Sequence, residues 1–151
     1  SIGIACPPDS SLTGTRRMPA ADVFFDTNVL LYLLSDDIAK ADRAEALLAN
    51  GGVISVQVLN EFAAVAVGKK AVDFRELKEI LSAVRVACAV KPLDIETHEL
   101  GLDIAERYRF SIYDSLIIAA ARRARCSVLY SEDLHHGQTI EQMTIRNPFA
   151  E

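Results

Sequence analysis

The stretch Val23-Phe-Phe-Asp26-Thr27-Asn28-Val-Leu-Leu-Tyr-Leu-Leu34 decides how the rest of the chain is read. Its first three residues are β-branched or aromatic, the composition of a strand buried on both faces. From Val29 onward the apolar residues suit a helix. Between the two stand an acid, a hydroxyl and an amide, all of the type that caps a helix start. A carboxylate at the carboxyl end of a strand, just before a helix, lies where open α/β sheets place their chemistry. Any of the three can supply the cap, so a cap alone does not assign Asp26.

Working outward, strands and helices alternate. Ile38, Ala41, Ala44, Leu47 and Leu48 recur at helical spacing, and Asn50-Gly51-Gly52 ends that helix. Val53-Ile54 reads as a short strand, and Ser55 as the cap of an apolar helix from Val56 to Val67. Phe74–Ala87 is a helix with Phe74, Leu77, Ile80, Leu81 and Val84 on one face. The apolar run 87–90 is a strand ended by Pro92, and Ile95–Tyr108 a helix with a strongly acidic side. Ser111 precedes a helix from Ile112 to Arg125, followed by a strand over 127–130. A polar loop runs from Ser131 to Gly137, and Met143–Arg146 is expected as a last, edge strand. The fold class is α/β: a three-layer α/β/α sandwich on a mainly parallel sheet with right-handed crossovers.

At 151 residues the chain is one domain's length. Residues 1–20 hold three prolines, Gly3, Gly14 and Arg16-Arg17, and read as a flexible tail or leader before a domain spanning 21–151. Met18 is a candidate natural start. No apolar run approaches the roughly 18 residues of a membrane span, and residues 1–20 lack the order of a secretory signal. Cys6, Cys88 and Cys126 have neither metal-ligand spacing nor an even number, which points to a reducing compartment, the cytoplasm. The net charge of −5 runs against a simple phosphate-binding surface. Clustered acids holding a divalent cation resolve that conflict, because the cation faces the substrate. The basic groups Lys69-Lys70, Arg107 with Arg109, and Arg122-Arg123 with Arg125 read first as solvated helix ends.

Four acids then converge. Asp26 and Asp133 follow strands, Asp114 opens a helix, and Glu61 lies inside the apolar helix after Val53-Ile54. Singly, each has a structural explanation: a cap at Asp26, a capping box of Ser111 with Asp114, a loop acid at Asp133. Glu61 resists one. Val58 and Val65 lie roughly 60° and 40° from it around the helix, and no Lys or Arg stands one turn away, so its partner must come from elsewhere. A metal fits that gap. Like charges ~4 Å apart repel by about 4 kcal/mol at an effective dielectric near 20, so four such carboxylates must hold protons or a cation. Oxygen ligands alone favour Mg²⁺ or Mn²⁺, and such a site supports hydrolysis of a phosphodiester. His135-His136 beside Asp133 could suit a transition metal but read as exposed loop residues.

The motifs Phe25-Asp26-Thr27-Asn28-Val29-Leu30, Asn60-Glu61-Phe62, Tyr113-Asp114-Ser115-Leu116-Ile117 and Ser131-Glu132-Asp133 resemble those of the PIN-domain ribonucleases, most closely the VapC-type toxins of bacterial toxin–antitoxin pairs. The resemblance spans about Val23 to Phe149. It implies Asp26, Glu61, Asp114 and Asp133 as catalytic acids and ligands of Mg²⁺ or Mn²⁺, with Thr27, Asn28 and Ser131 orienting them. It further implies endonucleolytic cleavage of RNA, a homodimer, and a cognate antitoxin lying over the groove, with Leu30–Leu34 and Val56–Val67 as its walls. The family often carries Thr where Ser131 stands and a further acid before Phe where His136-Gly137 stand, which leaves Asp133, with Glu132 turned away, as the late acid. The alternative is a PIN-like module without catalysis that binds RNA or protein. An aspartyl phosphotransferase is disfavoured, because Asn28 stands where a second Asp is needed.

Overall fold

The computed structural model describes residues 22–150; the expected tail lies outside them. Six strands form one sheet: β1 (Val23–Phe25), β2 (Gly52–Ser55), β3 (Cys88–Lys91), β4 (Val128–Tyr130), β5 (Thr139–Ile140) and β6 (Met143–Arg146). Around it lie α1 (Thr27–Leu31), α2 (Ile38–Ala49), α3 (Val56–Gly68), α4 (Phe74–Ala87), α5 (Ile95–Tyr108) and α6 (Ile112–Arg123), with a 3₁₀ turn at Tyr32–Leu34. The result is a three-layer α/β/α sandwich with a mainly parallel sheet.

The strand order is β3-β2-β1-β4-β6-β5, and every pairing is parallel except β5 with β6. The chain leaves β1 toward β2 and β3, then returns to β1's other side with β4. That makes the gap between the carboxyl ends of β1 and β4 the topological switch point, where open α/β sheets bind their ligands. Phe25 and Tyr130 are register partners, and the Asp26 amide donates to the Tyr130 carbonyl at 2.9 Å. Asp26 and Ser131 therefore emerge side by side.

Local chemistry explains most boundaries. Asp37, Ser55, Asp73, Asp94 and Ser111 each cap the helix that follows through a side-chain oxygen. α6 has seven consecutive buried residues, Ser115–Ala121, so it is a core helix, not an amphipathic one. α5 covers it, and Gly101 permits the contact: a Cβ there would meet Leu116 Cδ2 at 2.8 Å. Gly52 plays the same part in β2, where the Phe25 ring occupies the space that a side chain would need.

Met143–Arg146 is a strand, but the expectation of an edge is corrected: β6 lies inside, between β4 and β5. The edge is the two-residue β5, joined to β6 through Glu141 in a left-handed conformation (φ 52°). α6 also ends two residues before Arg125, which itself adopts φ 59°.

Candidate active site at the sheet switch point

Asp26 is 5% exposed. It closes β1 and caps α1 itself, its Oδ1 accepting from the Thr27 amide at 2.7 Å. Of the three capping-type residues, Asp26 is the one that caps; Thr27 and Asn28 lie within the helix. The other oxygen, Oδ2, accepts from the Ser131 hydroxyl at 2.7 Å and from Asn28 Nδ2 at 3.1 Å. Burial pushes the carboxyl up from 3.8 to about 6, hydrogen bonds from Ser131 and Thr27 oppose this, and the charges of Asp114 and Glu61 add to it.

Each neighbour is held by neutral donors. The Thr27 hydroxyl donates to Glu61 Oε1 at 2.6 Å, and Gln57 Nε2 to Glu61 Oε2 at 3.1 Å. The partner required for Glu61 is thus Thr27 from α1 together with an amide one turn back on α3. Asn28 Nδ2 lies 3.1 Å from Asp133 Oδ2 as well as from Asp26, while Asn28 Oδ1 accepts from the Glu132 amide at 3.0 Å. Asn28 is the spacer between the first and last acids. Asp114 is half-buried at the start of α6, and its amide donates to Ser111 Oγ at 3.1 Å. Asp133 is exposed.

Among the described residues, none of these four acids is paired with Lys or Arg; the ion pairs lie elsewhere. Among the described residues, no three His, Cys, Asp or Glu side chains come together closely enough to hold a metal ion; Thr27 bridges to Glu61, and Asn28 to Asp133. The donor set nonetheless suits a hard divalent cation. It is all oxygen, and it contains a buried carboxyl whose charge is disfavoured by burial and by two further acids.

Glu132 does turn away. Its Oε1 accepts from the Tyr32 hydroxyl at 2.6 Å and Oε2 lies 3.7 Å from Lys40 Nζ. Tyr32 also packs on Phe149, ring centroids 4.5 Å apart. Sequence reading missed this cluster and Gln57. Gln57 was legible, one helical turn before Glu61; Tyr32 and Glu132 are 100 residues apart with no local signal linking them. His135 and His136 are exposed, and His136 Nδ1 accepts from the Asn147 amide at 2.9 Å. A groove of about 260 Å³ beside Asn28 is lined by Leu31, Tyr32, Val65, Lys70 and Glu132. The larger depression, about 830 Å³, lies between Leu33–Asp36 and α4 and contains none of the four acids.

The family model described as "PIN domain" matches residues 23–139. No curated protein matches the sequence. Solved structures do match in fold. A toxin–antitoxin complex from Klebsiella pneumoniae is 21% identical with a TM-score of 0.64, over 84% of this chain and 98% of that one. Mycobacterium tuberculosis VapC20, described as a toxin cleaving the sarcin–ricin loop, is 19% identical with a TM-score of 0.59, over 74% and 89%. VapBC2 of Rickettsia felis bound to a promoter DNA fragment is 16% identical with a TM-score of 0.59, over 83% and 97%.

Proposed function

The chain belongs to the PIN domain family, and on that premise we propose that it is a Mg²⁺- or Mn²⁺-dependent endoribonuclease, the toxin of a toxin–antitoxin pair. The observation that supports this reading is the buried Asp26 at the carboxyl end of β1, with Glu61 of α3 held by the adjacent Thr27 hydroxyl. Asp133 joins them through Asn28. Asp26, Glu61, Asp114 and Asp133 would hold the ion, and Thr27, Asn28 and Ser131 orient them. When bound, the ion supplies charge neutralisation for the phosphodiester and a more acidic water.

The remaining work belongs to the chain's own side chains. Asn28 binds Oδ2 of the Asp26 carboxylate, and Ser131 and Thr27 hold the group by both oxygens. Thr27 and Gln57 do the same for Glu61. Such a frame is preorganised, which lowers the reorganisation needed at the transition state.

The toxin role is supported by the fold shared with the Klebsiella and Rickettsia complexes. It brings with it a cognate antitoxin over the groove at Leu31, Tyr32 and Val65, a homodimer, and residence in the cytoplasm. No helix among the described residues is long and apolar enough to cross a membrane. The test is incubation of the purified protein with total RNA and Mn²⁺, with and without EDTA. Cleavage that EDTA abolishes is expected; cleavage indifferent to EDTA would remove the metal from the scheme. Absence of both cleavage and divalent binding would favour a non-catalytic module.

A further inference from the structure

The turn that carries Asp133 is held residue by residue from other elements. The Ser131 hydroxyl donates to Asp26 at the end of β1, and the Glu132 amide donates to Asn28 of α1. The Glu132 carboxylate accepts from the Tyr32 hydroxyl of the 3₁₀ turn, which itself accepts from Lys40 Nζ of α2 at 3.1 Å. A phenol gives one proton and takes another through a lone pair, so the three side chains form one continuous chain of donors and acceptors. The direct Lys40–Glu132 separation, 3.7 Å, is longer than either bond to the hydroxyl, which makes Tyr32 the centre of the node.

Asp133 itself is exposed, and among the described residues its hydrogen bond is to Asn28 alone. That bond is a weak hold. Asn28 Nδ2 has two protons to divide among Asp26, Ser131 and Asp133. The position of Asp133 is therefore inherited from its neighbours in the loop. On one side stands Glu132, held by Tyr32. On the other stands His136, whose Nδ1 accepts from the Asn147 amide. The chain end also braces the node: Tyr32 rests on Phe149, Lys40 Nζ lies 4.8 Å over the Tyr32 ring, and Arg43 Nε donates to the Pro148 carbonyl at 3.1 Å.

We propose that Tyr32 is a positioning residue for Asp133: by holding the Glu132 carboxylate beside Lys40, on the brace of Phe149, it fixes the turn that presents Asp133. The inference rests on the reading of the site as a metal-dependent nuclease and adds a residue outside the acids and their direct partners. Groups that orient metal ligands are worth about 10- to 100-fold in affinity, and Tyr32 acts through one residue more, at the lower end of that range.

The experiment is Mn²⁺ binding by calorimetry for the wild type, Tyr32→Phe, Asp133→Asn and the double variant, with amide hydrogen exchange of the metal-free proteins. Tyr32→Phe alters no charge and keeps the ring on Phe149, so it removes the hydroxyl alone. It should weaken Mn²⁺ binding about tenfold. Exchange at the Glu132 and Leu134 amides, which donate to Asn28 and Ser131, should quicken at least about threefold, with α4 unchanged. In the Asp133→Asn background the same change should cost less than about twofold, because the effect passes through Asp133. A merely structural role would weaken both backgrounds alike. Thermal unfolding reports folding. Phe149→Ala, which removes the brace and leaves every side chain of the node in place, should weaken binding about threefold and decides the matter if Tyr32→Phe fails to fold. Wild-type Mn²⁺ affinity in folded Tyr32→Phe overturns the positioning alone, as does an equal loss in both backgrounds. Where Asp133→Asn abolishes binding outright, unchanged exchange at Glu132 and Leu134 overturns it. A wild type that binds no Mn²⁺ overturns the metal-dependent reading, and the positioning with it.

Discussion

The Ser131 hydroxyl donates to Asp26 Oδ2 at 2.7 Å, tying the first residue after β4 to the first residue after β1. Both are buried, and their strands are parallel neighbours in register. Ser131 also accepts from the Leu134 amide, so the same hydroxyl shapes the loop that carries Asp133.

Ser131→Ala should therefore act on two acids at once. A hydrogen bond to a charged group contributes about 1.5–3 kcal/mol, so RNA cleavage should fall roughly 10- to 100-fold. Ser131→Thr, which keeps the hydroxyl, should retain most activity. Equal loss in both variants, measured as initial rates with Mn²⁺, would place the effect in packing.

Asp26 makes the protein's stability depend on pH in a defined direction. Its folded-state carboxyl is raised from 3.8 to about 6, so the folded chain binds that proton more tightly than the unfolded one. The stabilising contribution is complete below pH 3.8 and is lost as pH rises through about 6. Asp26→Asn removes the charge and with it this loss. In EDTA the variant should gain about 1–2 kcal/mol above pH 7 after allowing for a lost hydrogen bond from Asn28, with the gain shrinking toward pH 4. Melting temperatures across that range check it, with an expected difference of roughly 3–6 °C at pH 7.5.

Asn28 spaces Asp26 from Asp133, and Asn28→Asp should reveal the repulsion it prevents. Without metal the variant should be less stable by about 1–2 kcal/mol, the exposure of Asp133 softening the interaction. Millimolar Mn²⁺ should recover more stability in the variant than in the wild type. Melting curves with and without the ion measure this directly.

Gly52→Ala tests the link from core to site. The added methyl would press on the Phe25 ring, itself 1% exposed and stacked near Tyr130, so the ring has nowhere to move. A cost of about 1–3 kcal/mol is expected as a lower denaturation midpoint at unchanged slope. Phe25 precedes Asp26, so activity should drop further than stability alone requires.

Much of this was legible in the sequence because it is encoded locally. Asp73 and Asp94 cap α4 and α5, and the apolar period of each helix runs out at Ala87 and Tyr108. The four acids were expected at one edge because strand ends and helix starts of a parallel sheet share it. The β5–β6 hairpin escaped notice because a two-residue strand has no period, and its turn places Glu141 at positive φ where Gly or Asn would have signalled it. The detailed frame escaped for another reason. Thr27 with Glu61 and Tyr32 with Glu132 join residues 34 and 100 positions apart, and only the fold brings them together.

The most direct measurement is RNA cleavage by the wild type, Asp26→Asn and Asp114→Asn with Mn²⁺, mapped as new 5′ ends in total RNA. A nuclease built on these acids should produce EDTA-sensitive ends in the wild type and lose about a hundredfold or more in each folded variant, since each removes charge stabilisation of several kcal/mol. Cleavage by either folded variant at the wild-type rate would contradict it.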